Sequence, residues 1–241
     1  MDLIEQDGSE GQRDNESADA GKESVIAVDD ICFAWQEGNQ VFDHFSFELQ
    51  AGKCVQIVGK NGSGKSTLIR LILGLYKPQS GKVFLLHTDT NNQSTIEKKR
   101  KEEIGYVSQI PQFLEGSVRE NIVGFSNNVD EKWLMYITTV LGIEKQLNTV
   151  INTTMNGDMR DSGGLSGGEM QLISVARAVY KKPLLLILDE PTSAMDLVSQ
   201  ACVEKLVREQ KEKGSAILLV SHREKVFESI VDSRLELFSK K

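Results

Sequence analysis

Apolar and polar residues change rhythm several times along this chain. Val25–Trp35 and Val41–Leu49 alternate with a period of two and predict strands, with Phe45, Phe47 and Leu49 on one face. The Gly38-Asn39 pair between them suits a hairpin-like connection. Lys53–Val58 predicts a short strand feeding a glycine-rich turn. The period then lengthens. Leu68, Leu71, Ile72 and Leu75 recur at i, i+3, i+4 and i+7, the stripe of a helix, with Gly74 near its end and Pro78 just beyond. Apolar runs at Val83–Leu86, Ile104–Val107, Leu184–Leu188 and Ala216–Ser221 predict further strands. From about Pro111 to Lys182 the pattern is mainly helical, with candidate helices at Val118–Val123, Lys132–Leu141 and Gly167–Lys181. Strands interleaved with helices argue for an α/β sheet, and the helical stretch for a second lobe.

Composition sharpens the boundaries. Residues 1–24 are rich in charge, Gly, Ser, Asn and Asp and poor in apolar groups, so they read as a disordered leader or linker. Residues 25–241 read as one domain, with its helical part at about 111–182. The formal charge of −7 is concentrated at the start: residues 1–30 hold ten acids against Arg13 and Lys22, which leaves the rest at +1. A near-neutral body gives no support to nucleic-acid binding, which calls for a basic stripe. The acidic N-terminus is neither a secretory signal nor a transit peptide. The longest fully apolar runs, Leu184–Leu188 and Ala216–Val220, fall far short of the roughly 18 residues that span a bilayer. Cys32, Cys54 and Cys202 form no disulfide framework; two lie in apolar strand-like runs, and buried free thiols are expected. The cationic run Lys98–Lys101 reads as a solvated loop or helix face.

Three short segments carry chemistry. Gly59-Lys60-Asn61-Gly62-Ser63-Gly64-Lys65-Ser66 matches G-x-x-x-x-G-K-[ST] in full, after a strand and before a helix. Small residues let the backbone wrap a phosphate and aim its N–H groups at it, and the helix start adds positive potential. Lys65 is placed for the β- and γ-phosphates, and the Ser66 hydroxyl for Mg2+. By chance alone the pattern arises about once in a hundred chains of this length. The second segment, Leu184–Glu190, is an apolar strand ending in two carboxylates: Asp189 for Mg2+ and Glu190 as a general base on water. Without the phosphate loop these acids would read as solvent-facing loop residues. The third segment, Leu165-Ser166-Gly167-Gly168-Glu169, is a second potential anion site at a helix start; alone it would be a simple N-cap.

In this order the segments closely resemble the ABC ATPase family over roughly Val25 to Asp232. Gly59–Ser66 resembles its Walker A loop, Leu184–Glu190 its Walker B strand, and Leu165–Glu169 its signature, with Glu169 in place of the usual Gln. Gln171 and Ala176-Arg177-Ala178 fit the helix after the signature. Gln109 resembles the Q-loop glutamine, Pro191–Asp196 the entry to the D-loop, and His222 the switch histidine. Trp35 stands where the family places its adenine-stacking aromatic; a core tryptophan is the competing reading.

The resemblance implies a P-loop NTPase fold, with a RecA-like core sheet, an antiparallel N-terminal β subdomain and a helical signature subdomain. It implies ATP and Mg2+ as cofactors and hydrolysis as the reaction. Trp35, Gly59, Asn61, Gly62, Ser63, Gly64, Lys65, Ser66, Thr67 and Gln109 would bind ATP, and Ser66, Gln109 and Asp189 the Mg2+. Glu190, His222 and Lys65 would be catalytic. Ser166, Gly167, Gly168 and Glu169 would act in trans, with Asp196 in the D-loop, across a head-to-tail dimer around two ATP molecules. A transmembrane domain or subunit is the other implied partner, which places the chain at the cytoplasmic face of a membrane.

Tyr106–Gln109 and Phe113–Ile122 resemble the exporter-type pattern, in which the ATPase is commonly fused behind six membrane helices; the polar leader resembles the joining linker. Asn156–Gly164 departs from the glutamate-containing segment that exporters place before the signature, and no Gly-rich extension follows Phe238, so a separate ATPase subunit stays open. The competing class is a non-transport ABC ATPase acting on nucleic acid or the ribosome. Against it stand the near-neutral body, a single cassette, and only about 55 residues between Gln109 and the signature. Glu190 and His222 disfavour a sensing module without turnover.

Overall fold

The computed structural model of the chain describes residues 24–36, 39–153, 159–161, 163–221 and 224–238. Five parallel strands make the central sheet: β3 (Cys54–Val58), β6 (Ile104–Val107), β10 (Leu185–Asp189), β11 (Ala216–Val220) and β12 (Ser233–Glu236), in the order β12-β3-β11-β10-β6. Beside it lies an antiparallel sheet of β1 (Ser24–Ala34), β2 (Gln40–Gln50), β4 (Ser80–Leu85) and β5 (Thr88–Asp89), ordered β2-β1-β4-β5. A strand covered on both faces has no polar side to show, which is why β10 and β11 read as unbroken apolar runs. In β10, Leu185 and Ile187 pack with α1 (Lys65–Ile72) and the antiparallel sheet, while Leu186 and Leu188 pack with the helices opposite. Each such side chain, fully out of water, contributes about 1.5–3 kcal/mol.

The opposite helices are α3 (Val118–Val123), α4 (Glu131–Leu141), α5 (Gly167–Tyr180) and α6 (Leu197–Glu212). Two further α-helices, α2 (Gln93–Glu102) and α7 (Glu224–Phe227), and a short 3-10 helix at Glu144–Gln146 complete the set among the described residues. The α/β sheet, the antiparallel N-terminal sheet and the helical lobe match the expected architecture.

Several local expectations need correcting. Leu75 lies beyond the end of α1 and is mostly exposed, because Gly74 turns left-handed (φ 66°) and takes the chain off the helix axis. The lobe between Pro111 and Lys182 also contains strands: β7 (Gly116–Ser117), β8 (Val150–Thr153) and β9 (Met159–Asp161) form a small antiparallel sheet. Lys98–Lys101 do lie on a helix face, as one of the two readings had it, but helix α2 itself was not among the expected elements: its one buried side chain is Ile96, too thin an apolar stripe to announce it. Only Cys54 is a buried thiol, since Cys32 sits half-exposed on the hairpin and Cys202 on α6. Residues 1–23 of the expected leader fall outside the described residues, as do 156–158 and 162 of the segment before the signature.

Candidate nucleotide site

β3 lies between β11 and β12, and its end delivers the chain into the loop Gly59–Gly64. A Cβ on Gly59 (φ 153°) would stand 2.5 Å from both Leu237 O and Ser63 Oγ, so this turn admits only glycine. Gly64 (φ 98°) is the N-cap of α1, and a Cβ there would meet Val41 Cγ1 at 2.7 Å. Gly64 has no side chain with which to cap α1. The first N–H groups of α1 and the positive end of its dipole therefore point at the loop with no side-chain oxygen from the cap residue among them. Lys65 folds back over the same loop, donating from Nζ to the carbonyls of Gly59 (2.7 Å) and Lys60 (3.0 Å).

The opposing wall comes from β10. Asp189 ends that strand, and burial pushes its carboxyl up, with the charges of Lys65 and Arg70 pulling it partly back. Burial also raises the Tyr106 hydroxyl, and the charge of Asp189 adds to that. Glu190 follows with φ 52°, a left-handed conformation that costs a non-glycine residue about 1–3 kcal/mol. Its backbone is held there: its N–H donates to Val220 O (2.9 Å), and its carbonyl accepts from Gln171 Nε2 (2.9 Å) and Ser193 N (3.4 Å).

These walls enclose one cleft of about 750 Å3. Trp35, Asn61, Gly62, Gly64, Lys65, Ser66, Thr67, Gln109, Asp189 and Glu190 all line it. Trp35 is not a core residue: it is 44% exposed on the rim, propped edge-on by Phe33 (5.3 Å) and Tyr76 (5.0 Å). Gly59 lies behind the cleft in an adjoining recess with Lys60 and Ser221. Ser63 is buried in the loop, and its hydroxyl finds no hydrogen-bond partner among the described residues. Ser193, from the segment resembling the D-loop entry, also lines the cleft, as do Asn39, Val41 and Val220, which escaped the sequence reading because nothing in their local pattern announces a site. His222 lies outside the described residues.

The signature residues stand apart. Ser166, Gly167, Gly168, Glu169 and Asp196 do not line the cleft. Ser166 caps α5 through a closed capping box: its hydroxyl accepts from Glu169 N (3.2 Å), and Glu169 Oε2 accepts from Ser166 N (2.8 Å) and Oγ (2.8 Å). These bonds, with one from Gln146 Nε2 (2.8 Å), hold the Glu169 carboxyl below its ordinary range. Asp196 caps α6, accepting from Ser199 N at 2.8 Å.

Gln171 connects the two places. It is buried on α5, donates to Glu190 O and Ser193 Oγ (both 2.9 Å), and accepts from Ala194 N (3.0 Å). The helix that starts at the signature is thereby fastened to the turn that carries Glu190.

The family model for ABC transporters matches residues 42–193, a span running from β2 through the phosphate loop and signature to the turn after Glu190. The chain belongs to the ABC transporter family. It is an ABC ATPase domain of that family, and as such it binds nucleotide. It is 33% identical over 197 residues to the probable microcin-H47 secretion/processing ATP-binding protein MchF of Escherichia coli, covering 79% of this chain and 27% of that protein. The chain thus spans about a quarter of the length of that relative. The solved structure of a bacterial Atm1-family ABC exporter with ATP bound shares the fold at a TM-score of 0.76 and 23% identity, covering 91% of this chain and 38% of that one. The dimeric ATP-binding cassette MJ0796, in a post-hydrolysis state with ADP and Pi, shares it at 0.73 and 22%, covering 90% and 97%. No described helix is long and apolar enough to cross a membrane.

Proposed function

We propose that this domain hydrolyses Mg-ATP to drive export through an ABC transporter, with residues 25–241 as the ATPase unit and about 111–182 as its helical lobe. The observation that carries this reading is the meeting of Lys65, Ser66, Gln109, Asp189 and Glu190 in one cleft with Trp35 at its rim. The uncapped start of α1 suits an anion, and the hydroxyl, amide and carboxylate of Ser66, Gln109 and Asp189 are the hard oxygen donors that suit Mg2+. The metal supplies charge neutralisation on the phosphates. Lys65 leaves the loop carbonyls to meet the β- and γ-phosphates, Trp35 stacks on the base, and Glu190 orients the attacking water as general base. His222 is proposed to contact the γ-phosphate.

A single chain leaves the γ-phosphate side of this cleft without Ser166–Glu169, so a second protomer is proposed to bring its own signature there, with Asp196 in the shared interface. Leu197 and Val198 beside Asp196 are 82% and 74% exposed, as residues awaiting a partner surface are. The membrane partner is proposed to dock into the groove between Leu75, Ile104 and Tyr106, rimmed by Arg100, Arg177 and Lys181. An apolar floor with a cationic rim fits an amphipathic segment bearing acidic groups, and the domain is proposed to work from the cytoplasmic face of the membrane.

Mg-ATP hydrolysis per chain, measured over a wide range of protein concentration, tests the reading. Specific activity is expected to climb with concentration, and Glu190→Gln to lower turnover about 10^2–10^4-fold with ATP still bound. Undiminished hydrolysis by Glu190→Gln would remove the assignment.

A further inference from the structure

The hairpin of β1 and β2 gathers a second set of chemically active side chains, away from the nucleotide cleft. The Cys32 thiol, an Asp43 carboxylate oxygen and a ring nitrogen of His44 lie within 4.8 Å of one another. The strands bring them together by breaking register: pairing shifts between Val28 and Ile31 and again between Ile31 and Phe33. At these irregularities Asp30 (φ 48°) and His44 (φ 50°) both turn left-handed, which aims three polar side chains at one point of the outer surface.

We infer that Cys32, Asp43 and His44 form a binding site for a zinc-class divalent cation. Thiolate, imidazole and carboxylate together are the donor set that selects Zn2+ among common divalent ions, whereas hard ions such as Mg2+ take oxygen alone. Around a tetrahedral ion, neighbouring ligand atoms sit about 3.5 Å apart, so closure asks for shifts of about 1 Å from side chains at an open surface. The supporting bonds suit ligation. His44 Nδ1 lies 2.9 Å from Asp30 Oδ1, the carboxylate–imidazole pairing that orients a ligating histidine. Gln40 Nε2 donates to Asp43 Oδ1 at 3.0 Å, the Cys32 thiol faces the same oxygen at 4.0 Å, and His44 N donates to Cys32 Sγ at 3.5 Å. On binding, the thiol gives its proton to solvent and the sulfur takes the metal. Two protein carboxylates near one ring nitrogen and one sulfur leave a net negative pocket that a dication neutralises, and the half-exposed position leaves an entry path.

The site has a structural consequence. Cys32 lies near the end of β1 and precedes Trp35 by three residues, so an ion there ties β1 to β2 a short way along the chain from a residue that lines the cleft.

Cobalt(II) titration of the untagged full chain tests this independently of any ATPase activity. The expected result is a thiolate-to-cobalt charge-transfer absorption that saturates at about one equivalent and is bleached by added Zn2+. It should vanish in Cys32→Ser and persist in Cys202→Ser. His44→Gln, which keeps the thiol, should weaken cobalt binding at least about tenfold. Absence of the band, its survival in Cys32→Ser, or unchanged affinity in His44→Gln overturns the site.

Discussion

Two helix starts in this molecule are built from the same few residue types and behave oppositely. Gly64 begins α1 with no side-chain cap, at the end of a strand inside the central sheet, facing a cleft of about 750 Å3. Ser166 begins α5 with a closed capping box, outside that cleft. The first end leaves its donors for a ligand; the second satisfies its own. Local sequence makes both ends attractive to anions, and the tertiary setting decides which one holds an anion unaided. On the proposed reading, a signature that caps itself stays stable until a second protomer presents it with a phosphate.

The difference is breakable at several points. Lys65→Ala should have the largest effect on binding: losing the charge-assisted bonds to phosphate, about 3 kcal/mol, weakens ATP about a hundredfold in a titration of the isolated chain. Ser166→Ala should leave the affinity of the isolated chain within about twofold while lowering concentration-dependent hydrolysis by about tenfold or more, and it removes a helix cap besides. If Ser166→Ala instead weakened ATP binding to the monomer, the two helix starts would belong to one site and the contrast would fall. Trp35→Ala should weaken ATP about five- to tenfold, the loss of about 1–1.5 kcal/mol of ring stacking, with turnover at saturation little changed.

A smaller effect separates the two regions by pH. Asp189 has its carboxyl raised in the folded chain, so its contribution to stability is present at acid pH and lost as pH rises through that raised value. Glu169 has its carboxyl lowered, so its contribution is present at neutral pH and lost as pH falls through the lowered value. Thermal melts of the nucleotide-free chain at neutral pH should show Asp189→Asn rising by less than about 1 kcal/mol, after discounting for solvent screening, and Glu169→Ala falling by about as much. Shifts of the same sign would contradict the contrast between a strained cleft and a self-satisfied cap.

Much of this was legible without coordinates. The strand–loop–helix frame of Gly59–Ser66 and the apolar run into Asp189-Glu190 were readable because a buried strand has no polar face and a phosphate loop tolerates few residue types. Helix α2 was not, since its one buried residue, Ile96, leaves no periodicity to detect. The strands β7–β9 escaped for a related reason: they are two to four residues long, shorter than any alternation can show. Trp35 was undecided between core and site because an aromatic beside a hairpin fits both; its exposure on the rim came from the packing of Phe33 and Tyr76.

The sequence by itself determined the family, the α/β order of elements and the identity of most residues around the cleft, because each rests on local spacing that physics restricts tightly. Only the tertiary structure decided which of those residues meet. Gln171 reaches Glu190 and Ser193 across 19 and 22 residues, and the hairpin irregularities bring Cys32 to His44. Such meetings depend on strand register and helix packing, which accumulate over the whole chain and leave no signature at any one position.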